Sequence, residues 1–460
     1  MKNICFCIQM HAPYRLKRYR FFDIGQDHYY YDDSETEERV SWLVENSFMP
    51  LCQTLKEMIR LSKGKFHCGL AISGSILEVF EQFTPEMIDI LRELAETKCV
   101  EFLATPYAYS LAAEYNENEF RDQLEMQEKV ISELFGVKPT TVCNAELLYS
   151  DEIAFNLQKW GYKVAMTEGA KHVLSWKSPN YMYQSAASAK MKVLVRNTAL
   201  SDELAFHFSD PNWPNFPMDA DKYAKALAAL PEDEELVNIW LGAETFGGRQ
   251  RAETGIFEFL KALPYYALEN GIGFVTPAEA AKKMPAKDVL SVPYPLTWAG
   301  EAKDLSIYAG NDLQQEAINK LYNVAERVHL CSDKRLKRDW LMLQDLNYLH
   351  FMNHIDQGAT NYESAYDAFI NYMNVLSDFL QLVEEQYPTT IENEELNSLL
   401  KTINGQEKEI ARLEKELKEK RAAAPKAAPK AAPKAEPKAA QKAAPKAPKA
   451  APKKAPKAKK

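Results

Sequence analysis

Residues 3–13 read NICFCIQMHAP. The first eight are uncharged and mostly apolar, and the run stops at His11-Ala12-Pro13. A short apolar run closed by a turn reads as a strand buried on both faces. Such strands belong to parallel sheets covered by helices.

Working outward, similar runs occupy 66–72, 99–103, 140–143, 164–167, 192–196 and 236–241. Between most of them lie helical patterns, at 40–62, 85–97, 119–135, 151–160 and 219–230. Strands alternating with helices predict parallel strands with crossovers, as an open sheet or a barrel. Seven or so such units within residues 1–285 favour an incomplete (β/α)7 barrel.

The pattern then changes. Leu321, Val324, Val328, Leu336, Trp340, Leu343, Leu346 and Leu349 recur at helical spacing, followed by Ala365, Phe369, Tyr372, Met373 and Leu376. Residues 286–390 are therefore expected to form a helical bundle packed on the barrel. In 391–420, Leu396, Leu399, Ile403, Ile410, Leu413 and Leu417 alternate three- and four-residue steps. That is a short coiled-coil pattern and a route to self-association, or else a solvated single helix. Residues 421–460 repeat Ala-Ala-Pro-Lys. With proline so frequent and no large apolar groups, a disordered tail is expected.

The net charge of −9 averages two unlike parts. The tail holds 13 basic residues and one acid, which leaves 43 basic and 64 acidic residues on the first 420. A body at −21 argues against nucleic acid binding there, whereas the tail can touch polyanions. The seven cysteines are scattered with no C-x-x-C, so reduced thiols and a cytoplasmic setting are expected. No apolar run is long enough for a secretory leader or a membrane span.

In a parallel α/β fold, functional groups gather where strands end. His11 follows the first strand; it faces a substrate or bonds backbone. Glu146, in CNAELLYSDEIAF (143–155), follows the strand 140–143. It is aimed into the mouth or favours the positive end of the next helix. Glu244, in NIWLGAETFGGRQ (238–250), follows the strand 236–241, and Arg249 can pair with an acid there. Two carboxylates on different strand ends are what glycoside hydrolysis needs, one as nucleophile and one as proton donor. The loop 200–223 offers Phe206, Phe208, Trp213 and Phe216 for sugar faces, with Asp202 and Asp210 for hydroxyls. The alternative is a surface excursion that packs its own aromatics. Trp176 is a similar candidate. No H-E-x-x-H, phosphate-binding loop or dinucleotide fingerprint is present, so no metal site and no cofactor is expected.

Taken together, these motifs resemble glycoside hydrolase family 57, in particular an α-amylase-like group of Bacteroidetes. The resemblance covers roughly residues 1–390. It rests on His11-Ala12-Pro13-Tyr14 with RLKRYRFFDIG (15–25), LAISGSILEVF (70–80), NAELLYSDE (144–152) and MTEGAKHVLSWKSPNY (166–181). It continues through LSDELAF (200–206), AETFG (243–247), AETGIFEFLKALP (252–264) and FVTPAE (274–279). It implies a (β/α)7 barrel with a helical domain and retaining chemistry on an α-glucan or maltooligosaccharide without a metal. It makes Glu146 the nucleophile; His11, Trp176, Asp202, Trp213 and Phe246 are the candidate substrate contacts. The family's acid/base aspartate falls on Gly242. Ala12, Ala243, Gly248 and Arg249 also depart from the family pattern.

Three readings follow: an α-glucan hydrolase or transferase with a substitute acid such as Glu244 or Asp202, a glucan-binding pseudoenzyme, or a scaffold with no sugar role. If position 242 is simply vacant, Gly242→Asp should raise hydrolysis about tenfold or more. On a continuing strand, Glu244 would sit roughly 6–7 Å beyond position 242. That is far from the ~5–5.5 Å between the carboxyls of a retaining pair.

Overall fold

The computed structural model describes residues 2–355, 358 and 360–386, together with 399, 402, 403, 405, 406, 409, 410, 412 and 413. Its ten strands are β1 Asn3–Met10, β2 Cys68–Ile72, β3 Val100–Leu103, β4 Thr141–Val142 and β5 Val164–Thr167, then β6 Met182–Ser185, β7 Lys192–Val195, β8 Leu236–Gly242, β9 Gly273–Phe274 and β10 Asp288–Leu290.

β1 lies between β2 and β8, parallel to both, and β3 extends the sheet beyond β2. A second sheet runs β4, β5, β7 in parallel. Single parallel bridges, Ala104 to Val142 and Arg196 to Asn238, join the two sheets at both sides. Among the described residues, seven parallel strands therefore follow one another around and return to β1. Alternation sorts their side chains. Cys5 and Cys7 pack with Ala71, Leu103, Cys143, Leu194 and Trp240, while Ile4, Phe6 and Ile8 join the larger core shared with the helices.

Three features were not foreseen. After β2, Ser73 caps a helix at Gly74–Phe83 by accepting from Ile76 N, in a stretch too short to separate helix from strand by periodicity. β6 folds back antiparallel on β7, with β10 beside it. β10 lies inside the segment expected to be helical. From there the chain runs along the barrel, where Tyr149 and Leu296 exchange backbone hydrogen bonds.

Helices follow at Asp312–Asn323, Ala325–Leu330, Lys334–Leu343, Leu346–His350 and Ala365–Gln386. The apolar positions read from the sequence, Leu321, Val328, Leu336, Trp340, Leu343, Leu346 and Leu349, are all buried. Asp378 pins the last helix to the loop after β1. Its carboxylate is fully enclosed and accepts from Gly25 N at 2.6 Å and Tyr30 OH at 2.7 Å, with His28 Nδ1 at 2.9 Å.

Within 391–420, the described residues are helical, and Leu399, Ile403, Ile410 and Leu413 are exposed. The described residues up to Gln386 belong to one compact unit. The expected tail, 421–460, lies outside the described residues.

Asp378→Ala would leave the buried Tyr30 hydroxyl without its acceptor and remove the contacts to Gly25 and His28. It should cost about 2–4 kcal/mol of stability, read as a lower urea midpoint. An unchanged midpoint would show that apolar packing alone holds this helix.

Candidate active site

Glu146 sits where β4 ends. Asn144 shapes the turn, its side chain accepting from Ala145 N and donating to Leu148 O. Glu146 and Leu147 both adopt left-handed backbone, at φ 52° and 56°. For residues with a Cβ this costs about 1–2 kcal/mol each, so the surrounding structure must over-determine it. Three donors do so. Tyr109 OH donates to Glu146 Oε1 at 2.5 Å. Trp298 Nε1, at 2.5 Å, and Tyr308 OH, at 2.6 Å, donate to Oε2. Trp298 N also donates to the Glu146 carbonyl at 3.0 Å.

Tyr109 is itself held from behind. The His11 ring stacks on Tyr109, centroids 4.0 Å apart. His11 Nδ1 lies 2.8 Å from Ser73 Oγ and Nε2 lies 2.9 Å from Asp345 Oδ2. Both ring nitrogens are engaged, so His11 sits at the mouth as a positioning group and offers no free nitrogen to a sugar. Asp345 also accepts from Asn347 N, and Leu346 N donates to the Tyr109 carbonyl. The helical region thus reaches directly into the barrel mouth.

Glu244 arises differently from the strand extrapolation. The register aligns Gln9 with Gly242, where β8 ends. The chain turns at once into a 3-10 turn, Ala243–Thr245, instead of continuing extended. The Glu244 side chain folds back over Gly242. A Cβ built on Gly242 would lie 2.5 Å from Glu244 Oε2 and 2.7 Å from its carboxyl carbon. The carboxyl fills the place a side chain at 242 would take. Gly248 is needed for the same reason, because a Cβ there would strike the Glu244 carbonyl. Burial pushes the Glu244 carboxyl up and the Glu146 charge adds to the rise, while Arg249 and His11 oppose it. Tyr109 is raised well above its ordinary range by burial and by the Glu146 charge beside it.

The other candidates divide. Asp202 accepts from Arg196 Nη2 at 2.6 Å. Arg196 is buried, also bonded to Glu168, and lies 5.8 and 5.6 Å from the Trp240 and Trp298 ring centroids. Asp202 is therefore committed to a cation. Phe206 stacks on Trp298 with centroids 6.2 Å apart and is 42% exposed, so it offers a face at the mouth. Trp213 stacks on His207 at 3.7 Å, the self-packing alternative for this loop. Trp176 stands 85% exposed on the turn after Lys171–Leu174. Phe246 must be corrected: it is fully buried against Phe6 behind the strand and cannot touch a sugar.

Sequence reading missed Tyr109, Trp298, Tyr308 and Asp345. Tyr109, in PYAYS (106–110), follows β3 and was open to the same strand-end search. The other three come from a region where no strand end marks them.

Two carboxylates in unlike environments at the C-terminal ends of parallel strands define a glycosidase-type scaffold. Comparison gives the family. The profile of glycosyl hydrolase family 57 matches residues 5–293. A protein described as "Putative alpha-amylase" from Methanocaldococcus jannaschii is 31% identical over 406 residues, 83% of this chain and 85% of its own length. The chain belongs to glycosyl hydrolase family 57. Two solved structures share its fold at low identity. The family-57 branching enzyme of Thermococcus kodakaraensis has a TM-score of 0.65 at 13% identity, over 86% of this chain and 94% of that one. The 4-alpha-glucanotransferase of Thermococcus litoralis has a TM-score of 0.61 at 14% identity, over 81% of this chain but 59% of that enzyme.

Replacing Glu146 by Gln removes a negative charge from beside Glu244 and favours its ionised form. The Glu244 pKa should fall in Glu146→Gln and rise in Arg249→Met, followed by carboxyl-carbon NMR titration. Unmoved titrations would show that the two carboxyls do not sense each other.

Proposed function

We propose that the protein cleaves or transfers α-glucans with retention, Glu146 acting as nucleophile and Glu244 as acid/base. The observation that carries this is the Glu244 carboxyl lying in the space above Gly242, where the family places its aspartate. Glycine at 242 and 248 then makes room for a relocated acid. The family membership supports the α-glucan substrate, and the raised Glu244 suits a group that must hold a proton at rest.

In the first step, a Glu146 oxygen bonds to the anomeric carbon as the glycosidic C–O bond breaks. The Glu244 proton goes to the leaving oxygen. Both Glu146 oxygens already accept hydrogen bonds, so little reorganisation is needed. In the second step, Glu244 takes a proton from water, or from a sugar hydroxyl in transfer. That oxygen bonds to the anomeric carbon and Glu146 leaves. Two inversions give retention. Phe206 beside Trp298 supplies an aromatic face for a sugar ring.

Glu244→Gln should lower turnover of maltooligosaccharides about 10²–10⁴-fold. An aryl maltoside with a good leaving group needs no acid in the first step. The same variant should release a burst of phenolate equal to the enzyme present, then stall. Equal loss on both substrates would make Glu244 structural. Glu146→Gln should abolish both. Gly242→Asp alone should give no gain, since it collides with Glu244, whereas Gly242→Asp with Glu244→Ala should recover activity over Glu244→Ala. Glucan binding by the native chain without turnover would favour the pseudoenzyme reading instead.

Two coarser expectations join this reading. The seven cysteines are free and buried, which fits a reducing, cytoplasmic setting. The exposed stripe Leu399, Ile403, Ile410 and Leu413 fits self-association by coiled coil. Sedimentation should then show Ile403→Glu/Ile410→Glu as a smaller species than the native chain; identical values would remove that proposal.

A further inference from the structure

The mouth carries positive charge that cleavage of a neutral glucan does not use. Arg39 and Arg251 set their guanidinium groups 5.1 and 5.6 Å from the centroid of one ring, Trp42. Arg249 sits 4.6 Å from the centroid of Phe206, the same ring that stacks on Trp298. The two groups are brought together because the loop after β8 docks on the continuous helical stretch 33–61, which holds Arg39, Trp42, Asn46 and Ser47. Ser47 Oγ donates to the Ala243 carbonyl at 3.0 Å, and Gly247 is packed against the Asn46 carbonyl. Glu244 is within electrostatic reach of both Arg39 and Arg249.

Among the described residues, none of these three arginines forms an ion pair with a carboxylate. Aromatic faces hold them instead. Elsewhere in the chain the habit differs: Arg18 pairs with Asp367, Arg92 with Asp89, Arg121 with Glu125 and Arg338 with Glu78. The body is strongly acidic, so partners were not scarce. Burial and the like charge of Arg15 both push Arg39 below its ordinary value, the sign of a cation short of counter-charge. Neutralising Glu244 would need one cation, and the acid step needs Glu244 protonated. In that state the carboxylate that acts on Arg39 no longer carries a charge. A guanidinium stacked by its face keeps its in-plane N–H donors for an anion.

We propose that Arg39, Arg249 and Arg251 bind an anionic group, phosphate or carboxylate, carried by the sugar substrate beside Glu244. This rests on the glucan reading of the site and names the kind of glucan it takes. Planar guanidinium groups match both anions by paired N–H donors, and an anion held by several of them binds with strong salt dependence.

The test is calorimetric titration of full-length Glu146→Gln, which binds without turnover. The ligands are a neutral maltooligosaccharide, its phosphorylated counterpart, its counterpart oxidised to a carboxylate, and inorganic phosphate alone. One or both charged sugars should bind about tenfold tighter or more than the neutral one at low salt. The gap should shrink in high salt and in exposed-side-chain variants Arg249→Gln and Arg251→Gln added singly. Comparing the two charged sugars tells phosphate from carboxylate. Equal affinity for neutral and charged sugars, or a gap that both arginine variants keep, overturns the inference and leaves the glucan reading standing. Failure of every sugar to bind overturns both, and binding of inorganic phosphate alone without sugar does the same.

Discussion

Glu146 accepts three side-chain hydrogen bonds, and the segments that supply them are far apart in the chain. Tyr109 comes from the loop after β3. Trp298 and Tyr308 come from the stretch beyond the barrel, 152 and 162 residues away. Leaving a partly buried carboxylate without its donors is costly, so docking of the later region on the barrel mouth completes the site. The left-handed turn at Glu146 and Leu147 belongs to the same constraint. It is held because the Trp298 backbone clasps the Glu146 carbonyl while its indole holds the carboxylate.

His11 shows how the constraint spreads. A histidine just after β1 is well placed to meet a substrate. Here Asp345, 334 residues later, and Ser73 take its two nitrogens, and its ring braces Tyr109. The helical region therefore shapes the mouth as well as covering it, and Asp378 fastens that region at a second point.

The features of the chain after β8 fit together as one arrangement. Gly242 carries no side chain, the strand gives way to a 3-10 turn at Ala243–Thr245, and Glu244 folds back into the space above Gly242. Gly248 lets the returning loop pass the Glu244 carbonyl. Arg249 follows directly and adds charge to the mouth. Glu244, Arg249 and Arg251 thus lie on one stretch of chain, and that stretch meets the segment that carries Arg39 and Trp42.

The positions of the seven parallel strands, the strand ends that carry Glu146 and Glu244, and the buried stripe from Leu321 to Leu349 were all readable from the sequence. Each is set by local alternation, turn residues or helical spacing, properties of neighbouring residues alone. The short helix Gly74–Phe83 was not readable because its stretch is too short for a period to decide, and the β6 hairpin and the reach of Trp298, Tyr308 and Asp345 into the mouth were not readable because no local period marks a long-range contact. Phe246 was misplaced for a related reason: strand-end position does not say which face a side chain takes once the strand gives way to a turn. The place of the Glu244 carboxyl depended on that same turn and on the room left at Gly242. Residue type and position are written in the chain. The direction of a side chain at a strand end is decided by what packs against it in three dimensions.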